Sequence, residues 1–337
     1  MTNRIALNFE DGVTRFIDAR PDELVADAAY RLGLNIPMDC RDGACGTCKC
    51  HCESGEYSLG SYIEDAMTED EAAQGYVLTC QMKAKTDCVI RIPASSASCK
   101  IKIESFKTEL TALRKLSPSS VSFSVKLSAD AALTYLPGQY MNLIVPDTTQ
   151  SRSYSFSSMP REGVVDFFVR NIPDGLMSTY LTQHAKVGDA ITMTGPVGSF
   201  YLRDVKRPVL FLAGGTGLAP FLAMFDVLRR TPADQPIHMI YGVTNDADLV
   251  EVEKIEAFAA AAPSFTFSTV VADAGSAHPR KGYVTHHLPD AALNDGDVDI
   301  YLCGPPPMVD AVRKYLSDKG VQPANFYFEK FSPSESK

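Results

Sequence analysis

Cys40, Cys45 and Cys48 stand in a C-x4-C-x2-C run, and a fourth cysteine, Cys80, follows after 31 intervening residues. Four thiolates can hold two irons bridged by sulfide, and this run with a distant fourth member is a 2Fe–2S spacing. A loop around an anionic cluster must let backbone N–H groups approach the sulfurs. Gly43, Ala44 and Gly46 are small enough to allow that. The competing chemistry is a structural zinc site, which more often pairs its cysteines as C-x2-C. Only Cys45 and Cys48 form such a pair here, and buried free thiols are the plainer alternative. Cys50 and Cys52 share a strand face with Cys48, but packing accounts for both. Cys88, Cys99 and the histidines, including His286-His287, show no ligand spacing.

Further along, Arg152-Ser153-Tyr154-Ser155 sets an aromatic ring between hydroxyls, a pattern that can lie against a flat heterocycle and hydrogen-bond its edge. Gly175-Leu176-Met177-Ser178 opens a helix, and an arginine with a helix N-terminus can bind a pyrophosphate. An ordinary strand tyrosine is the plainer reading of Tyr154. Gly214-Gly215-Thr216-Gly217 lies between an apolar strand and a helix, where glycines admit a dinucleotide to the backbone. It is not the G-x-G-x-x-G fingerprint. Thr244-Asn245-Asp246-Ala247-Asp248 is acidic and has no basic residue. That suits a free ribose diol and hence NADH, with Asp246 as its partner; a helix cap at Asp246 or Asp248 is the alternative. Cys303-Gly304-Pro305 follows a later strand. Phe326-Tyr-Phe-Glu329-Lys-Phe331 brings aromatic cover and one carboxylate. The residues leave open which of these aromatics would stack on a flat cofactor, with Phe331 as the nominal choice.

These residues need positioning elements, and 337 residues supply about two to three domains. A net charge of −9 argues against nucleic acid or anionic membranes as partners. Nine cysteines, four in one motif, fit a reducing, cytoplasmic setting better than a disulfide framework, and the N-terminus lacks a signal-peptide pattern. Pro208–Phe225 carries no charge, yet its glycine turn and Pro220 favour strand, turn and helix over a membrane span.

Residues 1–20 alternate around Asp11-Gly12 as a hairpin. A helix from Pro21 to Gly33 carries Leu24, Ala28, Ala29 and Leu32. A strand over 48–57, a helix over 69–74 and a closing strand over 89–92 follow. Residues 93–98 read as a linker. Strands over 121–127, 140–145, 164–169 and 190–193, with one helix over 177–185, suggest a small antiparallel barrel. From 208 onward strand and helix alternate, with a helix expected over 248–262, which predicts a parallel sheet.

With these motifs in place, residues 1–95 resemble the β-grasp fold of plant-type ferredoxins. Residues 100–206 resemble the Greek-key flavin-binding barrel of the ferredoxin–NADP reductase superfamily, through Arg152–Ser155, Pro137-Gly138-Gln139-Tyr140 and Gly195-Pro196-x-Gly198-x-Phe200. Residues 207–337 resemble its nicotinamide nucleotide domain. The expected architecture is therefore multidomain, α+β and α/β. The order ferredoxin, flavin, nicotinamide resembles the reductase components of ring-hydroxylating dioxygenases in the benzoate, toluate and anthranilate group, and Ala219-Pro220 favours the benzoate branch.

This resemblance implies a 2Fe–2S cluster on Cys40, Cys45, Cys48 and Cys80. It implies FAD contacts at Arg152, Tyr154, Ser155, Gly175, Met177, Ser178 and Phe331. NADH contacts fall at Gly214, Gly215, Thr216, Gly217, Asp246, Cys303, Gly304 and Pro305, and Ser155, Cys303 and Glu329 become the catalytic groups. Electrons would pass from NADH through FAD and the cluster to a separate Rieske-type terminal oxygenase docked at the exposed loop. A di-iron monooxygenase reductase, a free-flavin reductase and a non-catalytic iron–sulfur sensor are the alternatives.

Overall fold

The alternation over the first twenty residues becomes a hairpin of β1 (Asn3–Phe9) and β2 (Thr14–Ala19). Ile5, Leu7 and Phe9 point inward at every second position. Gly12 closes the turn at φ 77°, donating its N–H to the Phe9 carbonyl. The computed structural model describes residues 2–38, 40–100 and 102–331. The chain divides into two units, residues 1–104 with 195–199, and residues 105–194 with 200–337.

In the first unit, α1 (Val25–Arg31) buries Val25, Ala26, Ala28 and Ala29. Leu32, expected on the buried stripe, is 47% exposed, because it is already the capping residue and Gly33 turns the chain away. There follow β3 (Lys49–Ser54), β4 (Tyr57–Ser58), α2 (Glu69–Ala73), β5 (Tyr76–Leu78), β6 (Lys83–Ala84) and β7 (Cys88–Ile92). The main sheet runs β2-β1-β7-β3-β5, with β1 and β7 parallel, and clasps α1 as a β-grasp sheet does. Thr68 and Glu71 form a reciprocal capping box that starts α2. Residues 93–98 are not a free linker. Ala94, Ser96 and Ser98 are buried, and Asp11 accepts from both the N–H and hydroxyl of Ser96 at 2.8 Å.

The second unit begins with a barrel sheet. Its strands are β8 (Glu104–Ser117), β9 (Ser120–Leu127), β10 (Tyr140–Ile144), β11 (Ser151–Ser155), β12 (Val164–Arg170) and β13 (Ala190–Val197). Their order is β11-β10-β13-β8-β9-β12, and a bridge between Phe156 and Phe167 joins the two ends of the sheet. The 14-residue β8 was not expected. The expected helix over 177–185 is two pieces, α3 (Leu176–Thr179) and a wider π turn over Tyr180–His184.

A parallel sheet completes the unit: β14 (Val209–Gly214), β15 (Ile237–Val243), β16 (Phe265–Val271), β17 (Asp299–Gly304) and β18 (Asn325–Lys330), in order β16-β15-β14-β17-β18. Helices α4 (Ala219–Arg230) and α5 (Val252–Ala261) cover one face, and α6 (Pro306–Asp318) covers the other. Both faces of β14 are therefore apolar. Phe211 and Ala213 meet α4, while Leu210 and Leu212 meet the side of α6. Helix α5 starts at Val252 rather than Asp248. Asp246–Asp248 forms a turn of its own, and Glu251 takes a left-handed φ of 61°. Among the described residues no helix is long and apolar enough to cross a membrane.

Candidate functional site

The loop between α1 and β3 gathers the four predicted thiols. Cys40 touches Cys45 and Cys80, and Cys80 also touches Cys48. The N–H groups of Ala44 and Cys45 each donate to Cys40 Sγ at 3.3 Å. Thr47 donates to Cys45, Thr79 to Cys48 and the Gly43 N–H to Cys80. Donors of this kind favour thiolate over thiol. The neighbouring thiols of Cys45 and Cys80, donating to Cys40, hold it well below the ordinary thiol range.

Only glycine fits two points of the loop. At Gly43 (φ 84°) a Cβ would lie 2.3 Å from the Ser61 carbonyl oxygen; at Gly46 (φ 71°) it would lie 3.1 Å from that of Ala66. Cys48 and Cys80 are buried, whereas Cys45 is exposed. Among the described residues no three Cys, His, Asp or Glu side chains are placed to hold a single metal ion. A chain of thiol contacts edged by N–H donors is a donor set that fits an anionic two-iron cluster. Cys50, Cys52, Cys88 and Cys99 belong to the apolar core.

The three residues expected to be catalytic lie on different strands and come together. Ser155 ends β11, Cys303 lies on β17, and Glu329 is its register partner on β18. Ser155 Oγ donates to Glu329 Oε2 at 3.0 Å, across 174 residues of sequence. Cys303 is fully buried; burial first, and the Glu329 carboxylate second, push its thiol well above the ordinary range, so it stays S–H.

Around them, Tyr154 packs half-buried against the barrel core, and Arg152 donates to the Ser151 carbonyl at 2.8 Å and to Gln150 Oε1 at 3.1 Å. Ser178 Oγ accepts the Ile172 N–H at 2.8 Å, which pins the Gly175 turn. Met177 is 2% exposed, with its side chain in the barrel core; only its backbone is available to a phosphate. Phe331 donates its N–H to the Gly304 carbonyl at 2.9 Å and packs on the same apolar cluster as Tyr327.

The glycines of the nucleotide turn divide into two kinds. A Cβ on Gly214 would meet Met308 Sδ at 2.4 Å, and one on Gly217 would meet the Cys303 carbonyl oxygen at 2.2 Å. Gly304 is equally tight, with its Cβ position 2.8 Å from Met308 Sδ. These three let β14 and β17 close upon each other. Gly215, at φ 54° with nothing within 4 Å of its Cβ position, leaves the backbone open beside half-buried Thr216. Pro305 then caps α6. The turn thus has one open glycine next to the start of α4.

Asp246 is exposed, and its Oδ1 accepts from buried Ser276 Oγ at 2.6 Å. Asp248 turns the other way. Its Oδ1 accepts from Ser117 Oγ at 3.0 Å and from Ser119 Oγ, both at the tip of the β8–β9 hairpin. Nothing in the local sequence around Ser117 announced that pairing. Arg203, also unanticipated, lies between Tyr201 and Tyr327, 3.7 and 4.1 Å from their ring centroids.

Three family models match along the chain: a 2Fe-2S iron-sulfur cluster binding domain over residues 8–85, an oxidoreductase FAD-binding domain over 107–201 and an oxidoreductase NAD-binding domain over 211–314. Together with the site, they define an NADH-dependent iron–sulfur flavoprotein oxidoreductase that uses 2Fe–2S and FAD. The toluate 1,2-dioxygenase electron transfer component of Pseudomonas putida is 58% identical over 99% of this chain and 100% of its own length. The 2-halobenzoate 1,2-dioxygenase counterpart of Burkholderia cepacia is 49% identical, covering 99% of both chains. A propane 2-monooxygenase reductase component of Mycolicibacterium goodii reaches 31% over 98% of both. Among solved structures, an Amycolatopsis cytochrome P450 reductase matches with a TM-score of 0.73 at 28% identity, covering 98% of this chain and 100% of its own. The chain belongs to the electron transfer components of ring-hydroxylating dioxygenases.

Proposed function

We propose that this chain serves a benzoate 1,2-dioxygenase in the cytoplasm, delivering electrons from NADH to a Rieske-type terminal oxygenase. Bound FAD would supply acceptance of a hydride from NADH, and a 2Fe–2S cluster would supply one-electron transfer onward. Cys40, Cys45, Cys48 and Cys80 hold the cluster. The Ala44 and Cys45 amides lower the charge at the Cys40 sulfur, and exposed Cys45 marks the edge offered to the oxygenase.

Ser155, with its hydroxyl oriented by Glu329, hydrogen-bonds the flavin edge. Cys303, held neutral by burial, backs Glu329 beneath the nicotinamide site without adding a second anion there. Arg152, Tyr154 and the Gly175–Ser178 turn hold FAD, and Phe331 covers it against water. Gly214–Gly217 and Gly304-Pro305 shape the phosphate path of NADH, and Asp246 takes the ribose diol.

The observation that supports the electron-transfer part of this reading is the hydrogen bond joining Ser155 to Glu329, whose register partner is Cys303. Identity of 58% to a dioxygenase component, against 31% to a monooxygenase reductase, favours the dioxygenase partner. Nine free thiols favour a reducing compartment.

The test mixes the purified chain with NADH anaerobically, then adds a benzoate, toluate or anthranilate oxygenase with its substrate. Bleaching of flavin absorbance and fastest turnover with the benzoate enzyme are expected. In Cys45→Ser, reduction of ferricyanide by NADH persists while oxygenase turnover is lost; normal oxygenase turnover by that variant would sink the proposed route.

A further inference from the structure

The acidic turn after β15 holds two carboxylates with opposite surroundings, and only one of them faces outward. Asp248 is gripped from the barrel: Ser117 and Ser119 both donate to its Oδ1, while Asn245 Nδ2 donates to Oδ2 at 3.2 Å. The grip is itself braced. Ser117 Oγ also meets Ser120 Oγ at 2.9 Å and accepts the Ser119 N–H at 3.1 Å. Asn171 holds the hairpin tip through the Pro118 carbonyl at 2.9 Å and the Ser119 carbonyl at 2.7 Å. From the nucleotide side, Tyr241 OH donates to the Asp248 carbonyl at 3.2 Å.

The other charged groups nearby form a second tie across the same seam. Buried Glu251, two residues past Leu249, pairs with Arg114 of β8 at 3.6 Å and with Lys254 at 2.5 Å. Asp248 and Glu251 are therefore both fixed to the flavin barrel, and the exposed Asp246 lies between the end of β15 and the first of these ties.

We propose that Asp248 is a positioning residue for the nicotinamide nucleotide, and that the barrel serines Ser117 and Ser119 set NADH affinity without touching it. The inference rests on Asp246 as the ribose partner. A three-residue turn with one end loose would sample many orientations of Asp246; pinning Asp248 leaves few, so less order is lost when a ribose binds. The exposed carboxylate keeps its Ser276 contact, which fixes one oxygen and turns the other toward solvent. The barrel thus contributes to nucleotide binding at a distance from the flavin chemistry.

The test is made on the full chain carrying Ser117→Ala with Ser119→Ala, measuring KM for NADH, kcat, flavin content and calorimetric binding of ADP-ribose, which lacks the nicotinamide. Affinity for ADP-ribose should fall and KM rise roughly 10- to 100-fold, the scale of losing a hydrogen bond to a charged group. The kcat at saturating NADH should stay within about 2-fold, since Ser155, Cys303 and Glu329 are untouched. Ser119→Thr alone, which keeps a hydroxyl, should behave as the parent. Unchanged ADP-ribose binding in the double variant would overturn the clamp, as would a fall in kcat and flavin content with KM constant. Asp246→Asn separates the two readings. If it weakens ADP-ribose binding and the serine pair does not, the clamp fails alone; if only the serine pair weakens it, the ribose assignment fails, and the barrel serines act on the nucleotide by a route other than ordering Asp246.

Discussion

The cysteine loop and the meeting point of Ser155, Glu329 and Cys303 are built in contrary ways. The loop is made by backbone: Ala44 and Cys45 amides aim at Cys40, and two left-handed glycines bend the chain close enough to do so. The Ser155–Glu329–Cys303 meeting point is made by side chains on three strands, brought together only when β11 of the barrel reaches β18 of the parallel sheet. A site made of backbone tolerates no added atom. A site made of side chains tolerates change of shape but depends on each polar group. Three substitutions or conditions should separate these behaviours.

The largest effect is expected from Gly43→Ala. Its methyl would lie 2.3 Å from the Ser61 oxygen, on a backbone at φ 84°. The site can relieve that only by moving the loop, at a cost of roughly 2–4 kcal/mol. Iron content per chain and cytochrome c reduction should fall together, while NADH reduction of ferricyanide continues. Gly33→Ala, at φ 82° but with open space, is the matched control and should keep its iron. Equal loss in both variants would erase the contrast.

Glu329→Gln comes next. It preserves shape and removes a charge-assisted acceptor from Ser155, so flavin content should hold while the rate of flavin reduction by NADH falls about 10- to 100-fold. Stopped-flow absorbance reads that rate, and an unchanged value would remove Glu329 from the reaction.

The smallest effect concerns pH at the acidic turn. Burial works to raise the Asp248 carboxyl, but the Ser119, Asn245 and Ser117 donors outweigh it and hold the group below the ordinary carboxylate range. A depressed folded value means the clamp's contribution is present above the unfolded carboxylate pKa and lost as pH falls through the lower, folded one. ADP-ribose affinity should therefore be nearly flat from about pH 8 to about pH 5 and weaken only in stronger acid. A midpoint near neutrality would assign the effect to another group.

The same contrast decides what could be read from sequence. Cys40 to Cys48 were legible because a loop that wraps a cluster places three of its four ligands within nine residues, and Gly43 and Gly46 announce the turn. The parallel sheet was legible because its central strand is apolar on both faces, as Leu210–Ala213 shows. The division of labour among the glycines was not. Gly214, Gly217 and Gly304 carry the signature of a phosphate turn, but their crowding comes from Met308 and Cys303, which no local pattern predicts. Strand β8 buries Phe106, Thr108 and Leu110 in alternation with exposed Lys107 and Glu109, so its rhythm is present in the sequence although no strand was expected there. Leu32 was misplaced because apolar spacing continues one residue after the helix has ended. Asp248 was read as a possible cap because its real partners lie 129 and 131 residues upstream.

The hairpin tip at Ser117–Ser119 also bears on how such reductases can be recombined. A chimera cut at the start of β14 would carry the whole parallel sheet, its helices and the acidic turn, and would look like a clean exchange of the nucleotide-binding half. It would leave behind the two hydroxyls that hold Asp248. The donor's hairpin tip should therefore be transplanted with its nucleotide domain, although more than eighty residues of flavin barrel separate the two in the chain.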